Sequence, residues 1–139
     1  MRRPDLRFAV GLALAAVVGF AAGLAAESEK GIEGIVVDKD AELARVNLSN
    51  LAYRFLVDVS SARIAIEKQD TATARQAINF AKADLDELKT TDVTADVLSG
   101  FAEKLNEASS NLTPSGIEKS RSALDSLYSN LLLFIGNLP

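Results

Sequence analysis

From Ala41 to Leu138 apolar side chains recur at alternating spacings of three and four residues, and Pro114 is the one proline in that stretch. A 3.6-residue rhythm of this kind predicts amphipathic helices rather than strands. Breaks in the rhythm divide the stretch into four. The first predicted helix, about Ala41 to Lys68, carries the stripe Ala44, Leu48, Leu51, Phe55, Val59, Ala62 and Ile66. The second follows a tight turn at Gln69-Asp70, with Asp70 as its N-cap, and carries Ala74, Ile78, Ala81, Leu85 and Leu88. An aspartate in that place satisfies one of the first-turn amides that the helix itself leaves unpaired.

Thr90-Thr91-Asp92 supplies a break and a cap for the third helix, whose stripe is Val97 or Leu98, Phe101, Leu105, Ala108 and Leu112. Gly100 within it weakens it by up to about 1 kcal/mol relative to alanine. The segment Asn111-Leu112-Thr113-Pro114-Ser115-Gly116 ends it. Two starts then compete for the fourth helix: Thr113 as cap with Pro114 in the first helical position, or a capping box of Ser115 and Glu118. Its stripe is Ile117, Leu124, Leu127, Leu131, Phe134 or Ile135, and Leu138.

Connections this short force neighbouring helices to run in opposite directions, so the expected fold is all-α, an up-down-up-down antiparallel four-helix bundle over residues 41–139. The first helix is the longest, and the fourth ends in Leu131-Leu132-Leu133-Phe134-Ile135, which is apolar on every side. Such a run implies burial on more than one face or a dimer contact, and it is too short to span a membrane.

Ahead of the bundle, residues 27–40 combine charges, two glycines and the run Ile35-Val36-Val37. They are expected to form a tether, the apolar run being a short strand or a strap packed on the bundle. Residues 1–26 are expected to be a signal peptide or a signal anchor. Arg2, Arg3 and Arg7 precede or border an uncharged stretch of 19 residues, Phe8 to Ala26. Its length exceeds the roughly 7–15 residues of a signal's apolar region and approaches the roughly 20 that span a bilayer. Its wealth of alanine and glycine, and the small residues at Gly23 and Ala25, favour cleavage. Gly19 and Gly23 form a G-x-x-x-G spacing that would let two retained helices approach closely. Either way the expected location is periplasmic or extracellular, or inner-membrane anchored with the bundle outside the cytoplasm.

Charge and composition narrow what such a domain does. Residues 1–26 hold three arginines and one aspartate, which leaves 12 basic and 18 acidic residues and a charge of −6 for the remainder. An acidic domain without a basic stripe is a poor partner for a phosphate backbone, so no nucleic acid is expected, and contact with a membrane only through residues 8–26 if they stay attached. The chain has no cysteine and no histidine. Disulfides, an N-terminal lipidated cysteine, histidine-bound haem or zinc and histidine-dependent triads are thereby excluded. No cofactor and no metal are expected, and the chain is not expected to be an enzyme.

Carboxylates remain as candidate chemistry. Asp84, Asp86, Glu87, Asp92 and Asp96 fall around the end of the second helix and the start of the third. They lack the D-x-D-x-D-G series of a calcium loop and are expected to be solvated charges. Asp58 borders the apolar stripe of the first helix and Arg63 lies beside it one turn later. These two are the binding candidates, a polar pair inside the bundle. The competing expectation is a set of exposed pairs along single helices: Arg54 with Asp58, Arg63 with Glu67, Arg121 with Asp125. Tyr53, Phe55, Phe80, Phe101, Tyr128 and Phe134 are expected mainly in the core.

The segment Phe55 to Leu88, with Ala62-Arg63-Ile64-Ala65-Ile66, a short polar turn, then Ala74, Ala77 and Ala81 leading to Leu85 and Leu88, resembles the helical hairpin of the YfdX family of exported bacterial stress-associated proteins. The resemblance covers about a quarter of the chain. It implies a periplasmic, mostly helical, non-enzymatic role in stress response, with protein clients. The functional expectation is therefore an exported binding or chaperone-like helical bundle acting on a protein partner or through self-association. The alternative is a membrane-anchored structural or adaptor protein that self-associates through its helices.

Overall fold

The computed structural model describes residues 32–138. Every regular element among them is helical: α1 Ile32–Glu67, α2 Thr71–Leu88, α3 Ala95–Ser110 and α4 Ile117–Gly136. The four helices pack against one another with no strand among the described residues. The signal or anchor expected at residues 1–26 lies outside them. The chain divides between Arg45 and Val46, and the core belongs to the second unit.

In the first unit residues 32–45 are helical. Of the segment 27–40 expected as a tether, residues 32–40 are helical, so Ile35, Val36 and Val37 lie in turns of α1 and not in a strand; residues 27–31 lie outside the described ones. With one glycine and no proline between Ile32 and Arg45, nothing breaks the helix, and each added residue needs one further hydrogen bond rather than a new nucleus. Ala44, expected in the core stripe, is exposed.

In the second unit the predicted stripes form the core. Leu51, Phe55, Val59, Ala62 and Ile66 of α1 are buried with Ala74, Ile78, Ala81, Leu85 and Leu88 of α2. Leu98, Phe101, Leu105 and Ala108 of α3 join Leu124, Leu127 and Leu131 of α4. Phe101 sets the register of three helices. Its ring lies edge-on to Phe55 at 5.7 Å and edge-on to Phe134 at 5.7 Å, the arrangement that the aromatic quadrupole favours. At a second level of the α3–α4 contact the buried Ser120 hydroxyl donates to the Ala108 carbonyl at 2.8 Å. From Phe101 to Ala108 the partner residue falls from Phe134 to Ser120, so α3 and α4 run in opposite directions.

The connections show which caps prevail. Gln69 takes a left-handed φ of 58°. Around it the Asp70 amide bonds the Ala65 carbonyl and the Gln69 amide bonds that of Ile66, both at 2.9 Å, a Schellman closure of α1. Asp70 then caps α2 as expected, its carboxylate accepting from the Thr73 amide at 3.0 Å. Asp92 does not cap α3; Thr94 holds that position without a side-chain bond. Thr90 and Thr91 instead close α2, their hydroxyls donating to the Glu87 and Leu88 carbonyls at 2.7 and 2.6 Å. Before α4 neither expected cap forms, and Gly116 is the N-cap. Thr113 stabilises the preceding turn by accepting from the Gly116 amide at 3.1 Å.

The two internal glycines should respond oppositely to alanine. At Gly100 an added methyl meets nothing within 4 Å, so Gly100→Ala should raise unfolding stability by about 1 kcal/mol. At Gly116 it would lie 2.7 Å from the Asn111 carbonyl oxygen and 2.9 Å from the Thr113 hydroxyl, so Gly116→Ala should cost about 1–3 kcal/mol. Urea titration of both variants measures this.

The Asp70 cap also sets a pH dependence. Its bonds to Thr73 hold the carboxyl below its ordinary 3.8, so its stabilising effect is complete above that value and is lost as pH falls through the lowered one. The urea midpoint of Asp70→Ala should lie below that of the parent at neutral pH, and the gap should close in strong acid.

Candidate functional site

Two arginines of α1, Arg54 and Arg63, reach across to other helices. Arg54 reaches α2, where its guanidinium donates to Asp84 at 2.5 Å and to Glu87 at 3.0 and 3.2 Å. The Asp84 side chain is 1% exposed. A carboxylate so deep in an apolar interior needs an opposite charge, and a long guanidinium entering from the rim supplies it while leaving part of itself in water. The bond to Glu87, set against partial burial and aided by the Asp84 and Glu87 charges, raises the already high pKa of Arg54.

Arg63 reaches α4. Its Nε donates to Asp125 at 2.6 Å, and its guanidinium carbon lies 4.4 Å from the centre of the Tyr128 ring. Asp125 and Tyr128 are three apart on α4, hence on one face, and together they hold the planar cation by charge and by the ring's negative face. Arg121, expected to pair with Asp125, instead holds Glu118 at 2.8 Å. Across the bundle Arg54 bonds Asp84 and Glu87 of α2, and Arg63 bonds Asp125 of α4.

The two binding candidates, Asp58 and Arg63, lie on different faces of α1. Asp58 is buried at 8% exposed, whereas Arg63 is engaged by Asp125 and Tyr128. Five residues apart on one helix, they point about 140° apart. The acidic group at the α2–α3 corner is also dispersed: Asp84 and Glu87 bind Arg54, and Asp86 binds Lys89 at 2.6 Å. Among the described residues no three acidic side chains are grouped to hold a metal ion. A cleft of about 160 Å³ between α2 and α3 is lined by Lys82, Asp86, Lys89, Ala102 and Asn106, among others. It is smaller than the roughly 300–1,000 Å³ of small-molecule sites.

What the stripe reading missed is on the outside. Tyr53, Val57 and Ile64 of α1 are 53%, 55% and 48% exposed, and Leu132 and Leu133 of α4 are 48% and 66% exposed. A helix with apolar residues on two faces has only one counted as core. The four-three spacing of Val46, Asn50, Tyr53, Val57, Ser60 and Ile64, parallel to the core stripe, was the available signal. No described helix is long and apolar enough to cross a membrane. Comparison with family models, curated proteins and solved structures finds no match to this chain.

Removing each α1 arginine should separate the two ion pairs by burial. Arg54→Met should cost about 2 kcal/mol, less than the roughly 3–5 of a fully buried pair because the arginine is more than a third exposed. Arg63→Met should cost about 1 kcal/mol or less, since Asp125 is half in water. Equal losses in chemical denaturation would contradict the assignment of Asp84 as the costly charge.

Proposed function

We propose that the chain is an exported, non-enzymatic helical bundle, up-down-up-down in arrangement, that binds other proteins in a chaperone-like role. The observation that carries this reading is the end of α4. Leu133 and Leu132 are exposed there beside half-buried Ile135 and Leu138, and no charged residue occurs from Ser126 to Pro139. An uncharged apolar edge of this kind suits transient capture of apolar segments in unfolding proteins. The acidic surface elsewhere keeps the domain soluble and away from nucleic acid. Two sequence features support the location and context: the signal or anchor at residues 1–26, and the resemblance of residues 55–88 to exported stress-associated proteins.

The purified full chain should slow the aggregation of a thermally unfolding substrate protein and bind a hydrophobic dye. Leu133→Glu should remove most of both effects without changing the helical circular dichroism. Absence of protection and of dye binding by the parent chain would reject the proposal. The intact mass of the same sample decides between a diffusing and a tethered form: loss of about 25 residues marks cleavage of the signal.

A further inference from the structure

From Val46 to Ile66 the outer face of α1, like the end of α4 after Asp125, is poor in charge. Exposed positions carry charge in α2 at Arg75, Asp86 and Glu87, in α3 at Asp96, Glu103 and Glu107, and in α4 at Glu118 and Lys119. From Val46 to Ile66 α1 has three charged residues, Arg54, Asp58 and Arg63. Arg54 is bound to Asp84 and Glu87 and Arg63 to Asp125, with their side chains 38% and 28% exposed, and Asp58 is buried. The exposed residues from Val46 to Ile64 are Asn47, Tyr53, Val57 and Ile64. A face depleted of charge and centred on a tyrosine has the composition of an interface core.

Its spacing fits a second helix. Val46, Asn50, Tyr53, Val57, Ser60 and Ile64 follow one another at intervals of 4, 3, 4, 3 and 4, the 3.5-residue repeat of a packing seam between two helices. The order of residue types along this seam is a palindrome: apolar, polar, apolar, apolar, polar, apolar. An isologous contact brings residue i against j and j against i, and from Val46 to Ile64 this mirrored order suits it. Residues 46–138 hold 9 basic and 12 acidic residues. Two like-charged copies therefore meet with least repulsion where neither presents a charge.

We propose that two copies of this chain pair through the outer face of α1, antiparallel, about a two-fold axis level with Phe55. Val46 of one copy then meets Ile64 of the other, Tyr53 meets Val57, and Asn50 meets Ser60, so that the polar layers hydrogen-bond each other instead of being stranded among apolar ones. The contact uses a different helix face from the client edge of α4, and the two proposals stand or fall separately.

Sedimentation of the purified full chain should give a dimer, and Val57→Glu should raise its dissociation constant at least about tenfold while leaving its circular dichroism unchanged. The absence of cysteine makes orientation readable. Mixing Asn50→Cys chains with Ser60→Cys chains under oxidation should give the mixed disulfide, and neither chain alone should cross-link to itself, because only opposed positions bring Cα atoms within about 7 Å. A monomeric parent chain would overturn the proposal. So would a dimer that survives Val57→Glu, as one held through residues 8–26 would, or self-linking of Asn50→Cys, which marks a parallel pair.

Discussion

Phe101 stands edge-on between Phe55 and Phe134, and that stack is where α1, α3 and α4 are fixed at one level. The constraint behind it is compositional. With no cysteine for a disulfide and no histidine for a metal cluster, the domain has apolar burial as its main source of stability, and a chain of this size builds only one modest core. Every helix must therefore give its best stripe to the same cluster. α1 is the element they share: its inner face meets α3 through Phe55, while Arg54 ties it to α2 and Arg63 to α4.

The same economy explains where the polar groups sit. Asp84 and Ser120 are buried and bonded across helix boundaries, Asp84 through Oδ1 to Arg54 and Ser120 to the Ala108 carbonyl. Such bonds add little net stability but penalise any packing that leaves a buried charge or hydroxyl without its partner. They specify which helix lies against which, a task that the repetitive alanine and leucine surfaces leave open.

How much of this is legible in the sequence varies with the range of the rule applied. The core stripes from Leu51 to Leu131 follow from periodicity, because an amphipathic helix in water has only one good way to bury its apolar side. The Asp70 cap follows too, since Gln69-Asp70 interrupts two strong stripes and leaves little choice of boundary. Where several capping residues crowd within a few positions, as at Thr90 to Thr94 and Thr113 to Gly116, the winner depends on tertiary geometry that spacing does not encode. The start of α1 is hidden because Gly31, Gly34 and the Ile35-Val36-Val37 run resemble a linker. The ion pairs escape prediction because sequence spacing reveals neighbours along a helix but not across a bundle.

Residues Leu51 to Ile66 of α1 are thus the spine on which the other helices depend. Native-state hydrogen exchange measures this most directly. A spine requires that the buried amides of that segment exchange only through global unfolding, with the same opening free energy as those of Ile78, Leu105 and Leu127. If they exchange instead through a lower-energy opening while α2, α3 and α4 stay protected, those three helices form a core without α1, and α1 is not the spine.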